Sequence, residues 1–328
     1  MTTTDAAARK TATSDTMQFG AQLWSQHTTW PQFRDGALRA EAAGWHSVWT
    51  WDHLLAIFGP WEQPILEGWT TLAATAAVTS KVRLGLMVGA NTFRYPGLTA
   101  KLATTLDNIS NGRAVLGIGG AWFEREHDAY GIDAWGTGFG ERLDRLDESV
   151  GIMRRLLAGE RFSHEGRFYR LDDALCEPRP IQRPLPILIG GSGPKKTLRT
   201  TARYADAWNT SGTLEEVRGR LDILRGHCAD VGRDVGEIEL TISFPIVIRD
   251  EAADAEAAFR NVLAANGTDD LDAPTLLGSP RLVADALRPY AELGFSTVIV
   301  RLPNPYDVET IDRMPEVAEL LRGVGVHG

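Results

Sequence analysis

Two short stretches hold residue types that do chemistry. The first is Asp52–His53, which closes the β-branched and aromatic run 47–51 (SVWTW). An imidazole with an unperturbed pKa of about 6.5 trades protons at neutral pH. A carboxylate beside it would bind polar atoms of a ligand or bias the ring. The same two residues would also serve as an ordinary loop acid and a solvated histidine. The second stretch is 186–209, PILIGGSGPKKTLRTTARYADAWN. Its apolar run Ile187, Leu188, Ile189 has the length of a buried strand and stops at Gly190 and Gly191. Ser192, Gly193 and Pro194 then turn the chain into Lys195, Lys196, Thr197 and Leu198, where a helix would begin. Strand, glycine loop and helix N-terminus in that order make an anion site. Glycines let backbone N–H groups come close, and the first helical turn leaves donors unpaired. The helix dipole adds about 0.3–1 kcal/mol for a negative charge there. Lys195, Lys196 and Thr197 are expected to supply further donors, although glycines also turn plain αβ connections.

Further groups are open to two readings. Glu124, Glu126 and His127 in WFEREHDAYG form a second proton-handling group or an exposed helix start. Arg94 in TFRYP contacts an anion or pairs with a carboxylate, and Lys101, Arg113 and Arg301 read as structural ion pairs. Seven of the ten tryptophans fall before residue 70, and Trp49, Trp51, Trp61 and Trp69 are expected to surround the Asp52–His53 corner. Core packing is the ordinary role of each, less so for Trp24 and Trp122, which follow strand ends.

The elements that must position these groups follow from periodicity. Strands are predicted at 17–24, 47–51, 82–90, 114–118, 187–189, 206–209, 238–248 and 296–302. Helices are predicted at 30–44, 68–80, 96–111, 141–157, 214–231, 280–293 and 310–321, with another opening at 195. Leu143, Leu146, Val150, Met153 and Leu157 make the clearest apolar stripe. Eight strands alternating with helices predict an α/β fold, a (β/α)8 TIM barrel, since parallel strands need crossover helices. An open doubly wound sheet would carry a glycine fingerprint after the first strand, and none is present there. Two segments exceed ordinary loops. One is 160–185, with a hairpin turning at Glu165 and Gly166, between the fourth helix and fifth strand. The other is the acidic, alanine-rich 249–279 after the seventh strand. Residues 1–16 read as a disordered tail and 17–328 as one domain. Barrel strand ends would gather Gln22, Trp24, Asp52, His53, 88–91, 119–122, 190–193, 209–211 and Arg301 on one rim. That set suits a flat, phosphorylated aromatic cofactor.

Composition narrows the partners. The 328 residues are 43% hydrophobic and 23% charged with a net charge of −9, and no basic stripe suggests nucleic acid. No apolar run approaches the roughly 18 residues of a membrane span. Two cysteines make no disulfide framework and point to a reducing cytoplasm. Seven histidines without HxH or HxxxH spacing argue against a metal site.

The motifs VWTWDH, LGLMVGANTFRYP, NGRAVLGIGGAWFEREHDAYG, ERLDRLDESVGIMRRLLAGE and PILIGGSG…KTLRTTARYADAWN, in that order, resemble the bacterial luciferase-like superfamily. Within it the chain resembles the branch that uses the deazaflavin coenzyme F420. The resemblance spans about 17–248, and beyond that only a helix–strand–helix ending. It implies a barrel that binds the cofactor ring at its C-terminal mouth, with Asp52 touching the ring system and His53 near the reacting C5 carbon. It also implies a non-prolyl cis peptide between Met87 and Val88, and a phosphate at the loop of Gly190, Gly191, Ser192 and Gly193. Ala90 and Asn91 join the expected cofactor contacts, and Glu126 joins His53 as an expected catalytic residue. Sugar-phosphate dehydrogenases of the family carry a glutamate after the fourth strand where this chain has Trp122. Their phosphate-binding lysines have no match in 249–279. The implied activity is hydride transfer between F420 and a small organic substrate, in a homodimer. The alternative is an FMN-dependent monooxygenase supplied with reduced flavin by a separate reductase, and a non-catalytic flavin-binding protein is a third reading.

Overall fold

Short apolar runs alternating with amphipathic segments close into a barrel in the computed structural model, which describes residues 17–271 and 273–323. The tail expected at 1–16 lies outside the described residues. The first half of the chain runs β1 (Gln18–Leu23), α1 (Trp30–Ala42), β2 (Ser47–Thr50), α2 (Gly68–Val78), β3 (Arg83–Leu86), β4 (Gly89–Ala90), α3 (Pro96–Ile109), β5 (Ala114–Gly119), α4 (Glu124–Tyr130) and α5 (Phe139–Leu157). The second half opens with the strands β6 (Phe162–Glu165), β7 (Arg170–Ala174) and β8 (Ile187–Gly190), then α6 (Thr197–Tyr204), β9 (Ala207–Thr210) and α7 (Leu214–Asp230). It ends with β10 (Glu239–Ile248), α8 (Ala252–Ala265), β11 (Leu276–Gly278), α9 (Pro280–Glu292), β12 (Phe295–Leu302) and α10 (Val308–Leu320). Around the ring β1, β2, β3, β5, β8, β9, β10 and β12 pair in that order, all parallel, and β12 returns to β1. This is the expected (β/α)8 TIM barrel. The short β4 and β11 add to β5 and β10.

Local chemistry explains the boundaries. Pro31 sits in the first turn of α1, where Gln32 reaches back to the Thr29 N–H at 2.9 Å. Asn111 and Gly112, both at positive φ, end the α3 region. The α5 stripe predicted from spacing is buried along its length. It belongs to the large outer core, where strand residues such as Leu84, Leu116 and Ile187 meet the surrounding helices.

A second, smaller core fills the barrel interior with Trp49, Val115, Leu188, Ala207 and Ile299. Trp49 is its largest member, and its indole N–H donates to Ser47 Oγ at 2.8 Å. Glycines on both neighbouring strands make room for the ring. A Cβ on Gly20 would lie 2.8 Å from Trp49 Nε1, and one on Gly85 would lie 2.5 Å from its Cζ3. Trp49 therefore blocks the barrel beneath the mouth instead of flanking the Asp52–His53 corner. Trp69 likewise packs in the outer core, and Trp61 lies under the Arg125 guanidinium at 4.1 Å.

Four expectations change. The strand predicted over 82–90 is interrupted after Leu86, with the Met87–Val88 peptide cis, and resumes as β4. The 249–279 segment holds α8 and β11, because the run AADAEAAFRNVLAA is rich in strong helix formers that its acidity obscured. Arg113 makes no ion pair among the described residues; it donates to the carbonyls of Ala76, Thr79 and Val82 at 2.7–3.0 Å and so caps the end of α2. Lys101 donates to the Glu177 carbonyl. The hairpin of β6 and β7 forms as predicted, and the chain after it is pinned to α3 by the buried Asp107. That carboxylate accepts the N–H groups of Ile181 at 2.7 Å and Gln182 at 3.0 Å. No helix among the described residues is long and apolar enough to cross a membrane.

The interior packing makes a direct prediction. Gly20→Ala crowds Ser47 Oγ and the Trp49 ring, and should cost about 1–3 kcal/mol in denaturant unfolding. In a Trp49→Phe background the cost should shrink, since the indole N–H edge is gone. Equal costs in both backgrounds would contradict this packing.

Candidate active site

The C-terminal ends of the barrel strands enclose a cavity of about 370 Å³. Val88 supplies its floor. The side chain lies over β5 and β8 so closely that a Cβ on Gly119 or Gly190 would approach it to 2.7–2.8 Å. Those two glycines are required by this crossing and not by a turn. Aromatic rings make one wall: Trp24 stacks on Phe58 with centroids 4.7 Å apart and meets Trp51 at 4.4 Å. The indole N–H of Trp24 is buried without a hydrogen-bond partner among the described residues. Trp122 stands at the rim, 60% exposed, with its ring 5.6 Å from His53.

His53 is half-buried and lines the cavity. Its Nδ1 lies 3.0 Å from Glu126 Oε2, and the same carboxylate accepts the backbone N–H groups of Leu54 and Leu55. Glu126 is 1% exposed, so the expected exposed helix start is corrected: α4 turns this acid inward. A carboxylate opposite Nδ1 favours the tautomer with the proton on Nδ1, which leaves the Nε2 lone pair for the cavity. Glu126 thus positions and polarises His53, and His53 is the group available to a ligand.

Asp52 is buried and lines the cavity wall. It accepts Ala90 N–H at 2.9 Å and both Arg94 terminal nitrogens at 2.7 and 2.9 Å. Burial pushes its carboxyl upward, and the Arg94 charge and bonds work against that rise. Arg94 also reaches Glu67 at 3.1 Å, so the carboxylate reading of this arginine is the one the fold adopts. Gln22 donates to the Met87 carbonyl at 3.0 Å and holds the chain beside Val88.

Other expected contacts divide. Met87, Val88, Ala90, Gly190 and Gly191 line the cavity, whereas Asn91, Ser192 and Gly193 do not. Asn91 is buried and donates to the Tyr169 hydroxyl at 3.2 Å. At the glycine corner Gly191 has φ +124, and a Cβ there would meet only Thr197 Cγ2, at 3.3 Å. Its N–H bonds Asn209 O at 3.1 Å, and its carbonyl accepts the Trp208 indole at 2.8 Å. The N–H groups of Ser192 and Gly193 have no partner among the described residues. Lys196 is not the expected donor, because its ammonium is held by Asp144 at 2.6 Å and by the Gly140 carbonyl.

The family model described as luciferase-like monooxygenase matches residues 11–297. The chain belongs to that family. An uncharacterized protein of Mycobacterium tuberculosis (strain ATCC 25618 / H37Rv) is 32% identical over 169 residues, 52% of this chain and 58% of that protein. The chain thus spans little more than half the length of that relative. An F420-dependent glucose-6-phosphate dehydrogenase of Intrasporangium calvum is 27% identical over 340 residues, covering 94% of this chain and 97% of the relative. The solved structure of an F420-dependent secondary alcohol dehydrogenase with an F420–acetone adduct has a TM-score of 0.80 at 19% identity. It covers 94% of this chain and 99% of that one, a likeness of fold.

Sequence reasoning missed Phe58, Leu271 and Ser243 in the lining. None lies at a motif, and only folding brings them to the mouth. His127, read as part of a proton-handling group, is outside the lining and 2% exposed. Nε2 meets Thr92 Oγ1 at 2.7 Å and Nδ1 meets the Phe123 carbonyl at 3.2 Å, bonds that a neutral ring satisfies with its proton on Nδ1. Burial is the largest influence and lowers its pKa. A depressed folded-state pKa gives stability that is complete above the free value of about 6.5 and is lost as pH falls through the folded one. The unfolding midpoint of the natural protein should therefore drop, relative to His127→Gln, between about pH 7 and pH 5. Parallel curves would show that His127 is not held neutral.

Proposed function

We propose that this protein is an oxidoreductase that moves a hydride between the deazaflavin coenzyme F420 and a small organic substrate. One observation carries the reading: a single cavity joins a glycine corner, aromatic walls and a histidine backed by a buried glutamate. Relatives named as F420-dependent, at similar length, support the choice of cofactor. The residues fit such a group. The glycine corner at Gly191, which carries no side chain, and the N–H groups of Ser192 and Gly193, unpaired among the described residues, suit a phosphoryl group, and Trp24, Trp51 and Val88 suit a flat ring. When bound, the deazaflavin supplies a carbon centre that accepts or gives hydride.

The chain's own residues do the rest. The Asp52–Arg94 pair holds the end of β2 against β4, so the floor and the His53 corner keep one geometry. The rings of Trp51 and Phe58 exclude water from one side of the cavity. His53 takes a proton from a substrate hydroxyl at Nε2, or returns one, while Glu126 keeps its proton on Nδ1 and stabilises the imidazolium. A second reading follows from the family's own description: an FMN-dependent monooxygenase fed by a separate reductase.

Fluorescence decides between them, because Trp24 and Trp51 line the cavity. F420 should quench the protein and FMN should not at the same concentration. The deazaflavin riboside lacking the phosphate should bind at least about tenfold more weakly, since charge-assisted bonds to the phosphate are lost. FMN binding with no response to F420 would overturn the choice of cofactor. In turnover followed by F420 absorbance, His53→Ala should lower kcat by about 10²–10⁴-fold with the F420 dissociation constant little changed. If cofactor binding is lost and kcat at saturation is kept, His53 is a binding residue instead.

A further inference from the structure

Among the described residues, every charged group that lines the cavity has a partner except one. Asp52 is matched by Arg94 and Glu126 by His53. Arg301, near the end of β12, lines the same cavity and has no hydrogen bond or ion pair among the described residues. The ion pair expected for it from sequence is therefore absent among the described residues. Its polar neighbours in the lining are already used: Gln22 donates to the Met87 carbonyl, and Ser243 donates to Asn209 Oδ1 at 3.1 Å. Arg301 sits in register between Gln22 on β1 and Pro245 on β10, neither of them an acid. It is half-buried, and the loss of solvent lowers its pKa, with no anion among the described residues to offset it. A guanidinium stays charged under such conditions, so the cost is removed only when an anion arrives.

The position says which anion. In the ring order Arg301 lies three strands from β8, whose end carries the glycine corner, and two strands from β2, whose end leads to His53. A phosphate at the glycine corner is thus across the mouth from Arg301. Two strand spacings, about 10 Å, separate the Arg301 and His53 strands, enough for several carbon atoms between an anionic end and a reacting one. We propose that Arg301 binds the carboxylate of a small organic acid, the substrate class of this site, and sets it so that the reacting carbon lies near His53. The planar fork of arginine matches a carboxylate by two parallel N–H bonds, which a lysine would not reproduce. The assignment rests on the cofactor reading in one respect only: the glycine corner is taken by the cofactor and so is not the site for the acid.

The test uses phenylacetate and phenylacetamide, equal in shape and different in charge, with tryptophan fluorescence as readout on the full chain, with and without F420. The natural protein should bind phenylacetate at least about tenfold more tightly, the discrimination a charge-assisted bond supports. Arg301→Met should abolish the preference and leave F420 binding unchanged. Arg301→Lys should keep only part of it. No preference in the natural protein, or a preference that survives in Arg301→Met, overturns the proposal. So does loss of F420 binding in Arg301→Met, which would place the guanidinium on the cofactor. An Arg301-dependent preference for the acid in a protein that fails to bind F420 supports this assignment and sinks the cofactor reading alone.

Discussion

The site depends on one buried ion pair at the cavity wall, Asp52 with Arg94. Asp52 is buried at the end of β2, and its oxygens are shared between the Ala90 N–H and the two ends of the Arg94 guanidinium. Removing one member of such a pair leaves a charge stranded in a dry place, typically at a cost of about 3–5 kcal/mol. The pair therefore fixes three things together: the start of the His53 loop, the backbone of β4 and the loop that carries Phe93 and Arg94. Val88 lies between β3 and β4 and can cover the glycines at 119 and 190 only while that backbone is held. Asp52 thus has a structural role at the cavity wall, beside the ring contact expected for it from sequence.

A second buried acid repeats the logic at the next corner. Glu126 comes from α4 and gathers two backbone N–H groups as well as the imidazole. Its hydrogen bonds shape the loop after His53 and also define which ring nitrogen is free. One carboxylate thus links loop conformation to proton chemistry, and neither can change alone.

Much of this was legible in the sequence, for identifiable reasons. Barrel strands are short apolar runs between amphipathic helices, so their order, and hence the rim, follows from periodicity. That placed Gln22, Asp52, His53, Val88, Gly190 and Arg301 around one mouth. The partnerships between them were not legible. His53 and Glu126 are 73 residues apart, and no spacing rule joins them. Lys196 stands beside the glycine loop in sequence, yet Asp144 on α5 draws it away. Trp49 and Trp51 are separated by a single residue, but one fills the barrel interior and the other lines the cavity, a distinction that depends on where the strand ends. The α8 segment was obscured by its acidity, although its alanines favour a helix.

The indole of Trp49 has a kinetic meaning. Wedged between Gly20 and Gly85, it fills the barrel axis below the cavity at the strand ends. If cofactor and substrate share that cavity as proposed, neither could pass through the barrel, and the one against Val88 would arrive first and depart last, an order set by the packing of a single side chain.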